Sequence, residues 1–165
     1  MEHYASWQGL NKQLMGYLCE PLQNRIRYFL TRYHDVHNAY GRAAVLLDGK
    51  ELVSFTWVQG YFQERDMEEL YRQDGSWDWD SPLLKKKWGQ EGRLSENDFL
   101  DAASSYRSMP IQEALTSDNA IIRMLAIMDR RTGKRRLAGL MKGAYATEPE
   151  WLKQFYRLRL GDDVN

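Results

Sequence analysis

Cysteine is nearly absent from this sequence, since Cys19 is the only one in 165 residues. A single cysteine excludes an intrachain disulfide and a cysteine-rich zinc site, and it fits a reducing compartment. No apolar run reaches the length of a membrane span, and the N-terminus lacks the basic start and apolar core of a signal peptide. We therefore expect a cytoplasmic protein without a membrane partner.

Net charge is also absent, because 23 Lys and Arg balance 23 Asp and Glu. No global field would therefore draw in nucleic acid or an acidic membrane. The charge is nevertheless segregated. Residues 61–80 carry seven acids and two bases, a balance of −5, and residues 120–145 carry seven bases and one acid, a balance of +6. The simplest interpretation is that these segments face each other in the fold, and the alternative is that each faces a partner.

Apolar and aromatic side chains, by contrast, are plentiful. The hydrophobic fraction is 43% and the aromatic fraction is 13%, which argues against disorder. A chain of this length can bury a core without disulfides or metals. Because the sequence shows no linker and no repeat, we predict a single globular domain over residues 1–165.

Local patterns predict an N-terminal helix followed by strands. Ser6 can cap a helix whose apolar stripe includes Leu10 and Leu14, and Pro21 disfavours its continuation. Alternating apolar and polar side chains predict the strands, and Asp48-Gly49 between two of them is a strong hairpin signal. The predicted strands span 25–34, 42–47 and 52–58.

Helical spacing dominates the rest of the chain. We predict a helix over 62–72, an irregular loop over 74–92 with one helical turn from Pro82, and then a cluster of helices. The predicted fold class is α+β, with an N-terminal helix, a three-stranded antiparallel sheet and a C-terminal cluster of four or five helices. The predicted core comprises Trp7, Leu14, Ile26, Tyr28, Leu30, Val45, Leu47, Phe55, Ile121, Leu125, Met128, Leu137 and Leu140.

Two stretches of the chain resemble a known group of sequences. The first follows the pattern W-x-x-L-x-K-x-L from Trp7, and the second is the block IIRxLAxxDRRxGKRxL from Ile121 to Leu137. Both are similar to a family of small uncharacterised bacterial proteins, conserved hypothetical proteins with no assigned function. The resemblance implies a bacterial cytoplasmic protein, and it implies no catalytic residue, cofactor or substrate.

The second stretch contains a basic cluster, which we define as Arg130, Arg131, Lys134, Arg135 and Arg136. We predict the two arginines in the last turn of a helix, where cations favour the dipole, and the other three at the start of the next helix, where they oppose it. The cluster would be paired within the chain, or solvated. Alternatives are an anion or nucleic acid, bound through bidentate arginines and exposed amides, and an acidic protein partner.

Three further features carry weaker signals. The segment from His34 through Asp35 to His37 could ligate a metal or supply a general base, although a loop with solvated histidines is the more common outcome. Cys19 has no basic neighbourhood or histidine nearby, which predicts a buried, inert thiol. Trp77 and Trp79, in the repeat WDWD, would form a partner-docking anchor if exposed, whereas aromatic residues in long loops more often lie against the core.

Together these features favour a non-catalytic macromolecule-binding or regulatory protein, whose partner would be another protein, or a nucleic acid or phosphate. The alternative is a nucleic-acid or nucleotide-phosphate binder that uses the basic cluster, and a second alternative is a small hydrolase or metal-dependent enzyme near His34 and His37. We assign no catalytic residue and no cofactor.

Overall fold

The computed structural model describes residues 6–32 and 41–161. The chain forms a helix, a three-stranded antiparallel sheet and then seven further helices within the described residues, so the predicted α+β class is confirmed. Short 3-10 turns occur at Glu20–Leu22 and Ala144–Thr147. The other elements are α1 (Trp7–Tyr17), β1 (Ile26–Arg32), β2 (Gly41–Leu47), β3 (Lys50–Thr56), α2 (Trp57–Asp74), α3 (Pro82–Glu91), α4 (Glu96–Tyr106), α5 (Ile111–Leu115), α6 (Ala120–Met128), α7 (Lys134–Met141) and α8 (Glu150–Leu160).

The helix cap and the hairpin turn that the sequence predicts are both present in the first third of the chain. The Ser6 hydroxyl accepts a hydrogen bond from the Gly9 amide at 3.0 Å, which caps α1. The three strands lie in the order β1-β2-β3. The hairpin between β2 and β3 turns at Asp48 and Gly49, whose φ angles of 52° and 81° are the left-handed values that a tight hairpin needs.

One face of the sheet is covered by α4. Along β1, Ile26 and Tyr28 are buried whereas Phe29 is 42% exposed, as alternation predicts. Phe55 of β3 is fully buried and stacks on Phe99 of α4, with ring centroids 5.6 Å apart. Burial of these rings fixes the sheet against the helices.

The helix α6 lies at the centre of the C-terminal helices. It packs against α4, α5 and α8, and every residue in it except Arg123 is buried. Arg123 forms an ion pair with Glu148 at 3.1 Å. Most of the predicted core is buried, and four of its members are only partly buried: Trp7, Leu30, Leu47 and Leu140.

The region between the sheet and α4 differs from its prediction. Strand β3 ends at Thr56 rather than at Val58, because Thr56 and Gln59 form a capping box that starts α2. The predicted loop 74–92 contains the helix α3, which begins at Pro82 and ends before Gly92 in a left-handed conformation. Leu84 and Trp88 of α3 are buried against Met67 of α2 in a small second cluster.

No helix in the described ranges is both long enough and apolar enough to cross a membrane.

Candidate functional site

The basic cluster divides into a structural part and an exposed part. The structural part is built on Asp129, which is 1% exposed. Its carboxylate accepts hydrogen bonds from the Arg131 backbone amide at 2.7 Å, the Arg131 guanidinium at 2.8 Å and the Tyr106 hydroxyl. The guanidinium also lies over the rings of Tyr17 and Tyr106. Arg131 is therefore tied to a buried carboxylate, although 37% of its side chain remains exposed.

Electrostatics support this arrangement. Hydrogen bonding to Asp129 raises the pKa of Arg131 above its already high value. Burial, and then the bond to Asp129, raises the pKa of Tyr106, so its hydroxyl stays protonated and donates. The crevice beside these groups, lined in part by Tyr28 and Leu14, leaves no room for a water molecule. It is packed core and does not form a ligand site.

The prediction that Arg130 and Arg131 lie in the last turn of a helix is wrong. Helix α6 ends at Met128, because Asp129 adopts an extended conformation with φ −72° and ψ 139°. The turn that follows Asp129 is held by side-chain hydrogen bonds. The Thr132 hydroxyl donates to the Ala126 carbonyl at 2.7 Å, and Arg159 of α8 donates to the Thr132 carbonyl at 2.7 Å.

The exposed part of the basic cluster lies on and before α7. Within residues 6–32 and 41–161, no carboxylate lies within ion-pair distance of these side chains, and no side chain caps α7 at Gly133. None of the ion pairs described joins residues 61–80 to residues 120–145. The prediction that these oppositely charged segments face each other in the fold therefore gains no support. The exposed members are Arg130, Lys134, Arg135 and Arg136.

The WDWD segment projects into solvent. Trp77 is 53% exposed and Trp79 is 43% exposed, so the interpretation that both lie against the core is wrong. Their rings meet edge to face at 6.2 Å, and Trp77 meets Tyr71 of α2 in the same way at 5.8 Å. We call Tyr71, Trp77 and Trp79 the aromatic cluster.

The acidic residues around the aromatic cluster hold its backbone in place. Gly75 takes a left-handed φ of 72° and ends α2, where its amide donates to the Tyr71 carbonyl. Asp74 accepts from the Ser76 amide, and Asp78 accepts from the Asp80 amide, each at 2.9 Å. These side-chain bonds define the turn that carries both tryptophans.

The helices α2 and α3, which flank the aromatic cluster along the chain, are joined through a buried carboxylate. Asp66 is 6% exposed, and its carboxylate accepts from the Trp88 indole at 3.0 Å and from Lys87 at 3.2 Å. Burial opposes its ionisation, but the bonds from Trp88 and Lys87 together outweigh it, so the pKa of Asp66 lies below its usual value. Near the start of α3, the Lys85 ammonium group donates a hydrogen bond to the Asp80 carboxylate at 2.6 Å.

Sequence reasoning missed the outer face of α2. Tyr71 lies in the helix predicted over 62–72 and is 54% exposed, and Trp57 and Tyr61 are 44% and 57% exposed. Glu64 and Glu68 are exposed on the same helix. The spacing of these five positions alternates between four and three residues, a helical-face signal that was present in the sequence. We call this set the α2 stripe.

The histidine hypothesis stays a prediction, because His34, Asp35 and His37 lie outside the described residues. In the part of the chain that the structure describes, no group of His, Cys, Asp and Glu side chains could hold a metal ion. Cys19 is buried, as predicted, with 5% of its surface exposed.

Comparison with known proteins gives a family but no relative of known activity. The model of the SF0329 protein family matches residues 6–160. A search of curated proteins and a search of solved structures each find no match. The match covers α1 through α8, and therefore both the aromatic cluster and the basic cluster.

Proposed function

We propose that this chain, which belongs to the SF0329 protein family, is a non-catalytic protein-binding module whose contact surface is centred on the aromatic cluster. The observation that carries the proposal is the exposure of three adjacent rings: Trp77, 53% exposed, meets Tyr71, 54% exposed, and Trp79, 43% exposed, edge to face. Tryptophan and tyrosine dominate binding hot spots because they bury a large area with few rotatable bonds.

The hydrogen bonds that shape the turn support this proposal. Asp74 and Asp78 each hold a backbone amide, and Gly75 closes α2. A surface that is already ordered loses less conformational entropy on binding than a flexible loop does. The polar groups beside the rings are used to shape the turn, which suits a docking surface better than a reactive site.

Affinity capture from a cell extract tests the proposal. The double variant Trp77→Ala/Trp79→Ala should lose a protein that wild type captures, with its retention reduced by more than about 30-fold, since a single hot-spot truncation already costs about 2 kcal/mol or more. The matched control is Phe29→Ala, because Phe29 is an equally exposed ring on the outer face of the sheet. Capture of the same proteins by wild type and by the double variant would contradict the proposal, provided that circular dichroism shows both folded.

The exposed part of the basic cluster supports a second candidate, phosphate or nucleic-acid binding. Lys134, Arg135 and Arg136 begin α7 at an uncapped N-terminus with no described carboxylate to compensate them. Wild type should then bind a nucleic-acid column in low salt, and Lys134→Glu/Arg135→Glu should elute at lower salt. Lys142→Glu, at the other end of α7, is the control. Wild type that shows no salt-sensitive retention would exclude this candidate.

A further inference from the structure

Building on the proposed function, we infer that the partner of the aromatic cluster is a protein segment with basic side chains at its centre and apolar side chains at both ends, lying along the α2 stripe. The stripe runs from Trp57 through Tyr61 to Glu64 and Glu68, and it ends at Tyr71 within the aromatic cluster. Aromatic rings therefore occupy its two ends and carboxylates occupy its middle.

The spacing makes the stripe a continuous surface. Steps of four, three, four and three residues keep the side chains on one helical face, at a rise of about 1.5 Å per residue that places Trp57 about 21 Å from Tyr71. All five side chains are exposed. A surface of this length matches about four turns of a partner helix.

The charge of the α2 stripe indicates the charge of the partner that binds there. In residues 61–80 the exposed acids number six against two exposed bases, because the seventh acid, Asp66, is buried and paired. Arg72 reaches Glu68 only at 4.0 Å, and the guanidinium of Arg65 lies over the Phe62 ring at 4.8 Å. Lysine or arginine side chains at the centre of a partner would meet the carboxylates, and apolar side chains at its ends would pack on the aromatic faces.

The same charges disfavour a second copy of this chain as the occupant. Two α2 stripes paired antiparallel about a two-fold axis would match ring to ring at their ends. With Trp57 of one copy opposite Tyr71 of the other, Glu64 would face Glu64, and like charges in an interface oppose association. The acidic centre therefore favours a different chain with the opposite charge.

Selection from a displayed library of random peptides of about 16 residues, long enough to span the stripe, tests this inference. Peptides enriched on wild type should carry Lys or Arg at the centre between apolar ends. Glu64→Lys/Glu68→Lys should bind those peptides at least tenfold more weakly and should enrich peptides with acidic centres. Glu113→Lys, which reverses an exposed acid on α5, should behave as wild type.

Three outcomes would overturn the inference: enriched peptides without central bases, no enriched sequence at all, and salt-sensitive self-association that Glu64→Lys/Glu68→Lys abolishes, which would make a second copy the occupant. These failures are separable from failure of the proposed function. If Trp77→Ala/Trp79→Ala still loses its captured protein, the aromatic cluster is a docking surface for a partner of different chemistry.

Discussion

At the residue scale, two adjacent arginines have opposite environments. Arg131 binds the buried carboxylate of Asp129 and lies over two tyrosine rings, whereas the side chain of Arg130 is exposed and its backbone amide donates to the Tyr17 carbonyl. The difference follows from the extended conformation of Asp129, which lets its side chain turn back to the amide and the guanidinium two residues ahead. The sequence alone did not distinguish the environments of these two arginines.

Substitution of these arginines gives a matched test. Arg131→Ala should lower the free energy of unfolding by about 2 to 4 kcal/mol, because it leaves a buried carboxylate without its cation. Arg130→Ala should change it by less than about 0.5 kcal/mol, as most surface substitutions do. Urea unfolding midpoints of the two variants measure the difference. Equal midpoints would show that Asp129 does not depend on Arg131.

At the element scale, α2 and α3 are joined by one buried carboxylate and a small apolar cluster. Asp66 receives hydrogen bonds from Lys87 and Trp88, and the pKa of Asp66 is lowered as a result. A carboxyl group whose pKa is lower in the folded state stabilises the fold above its unfolded pKa of about 3.9, and the contribution disappears as pH falls through the folded value.

This linkage predicts a pH-dependent difference between variants. At pH 7, Asp66→Asn should be less stable than wild type by about 1 to 2 kcal/mol, because hydrogen bonds to a charged group are lost. The difference should shrink as the pH falls below about 4, where wild type becomes protonated. Asp78→Asn, an exposed control in the turn, should follow wild type throughout. Thermal unfolding between pH 7 and pH 3 measures both, and a constant offset for Asp66→Asn would contradict this account.

At the scale of the whole molecule, the apolar core is unevenly distributed. Helix α6 is buried on nearly every side by α4, α5 and α8, whereas α2 and α3 share the three buried side chains Met67, Leu84 and Trp88. Opening the second region exposes far less apolar surface than opening the first. The proposed docking surface therefore lies on the less protected part of the described chain.

Hydrogen exchange should show this difference directly. Backbone amides in Ala120–Met128 should exchange near the rate of global unfolding, whereas amides in Trp57–Asp74 and Pro82–Glu91 should exchange through smaller openings and at least tenfold faster. Exchange measured peptide by peptide by mass spectrometry resolves the three segments. Equal protection in all three would mean that the molecule opens as a single unit.

The sequence by itself determined the elements whose signals are local. The cap at Ser6, the Asp48-Gly49 hairpin, the alternation in β1 and the apolar run of α6 each act over a few residues, and each was predicted. Boundaries were harder where two local signals competed. At Thr56 the strand pattern would continue to Val58, but the capping box with Gln59 prevails and α2 starts.

The tertiary structure alone decided which polar and aromatic side chains are available. Asp129 binds Arg131 and also accepts a hydrogen bond from Tyr106, which lies 23 positions away in the chain. One cation of the basic cluster is therefore paired, although the cluster looks uniform in sequence. Trp77 and Trp79 stay in solvent, whereas Met67, Leu84 and Trp88 of the flanking helices are buried together. Burial depends on which distant elements bring apolar surface to a residue, and that information is not contained in the residue's own neighbourhood.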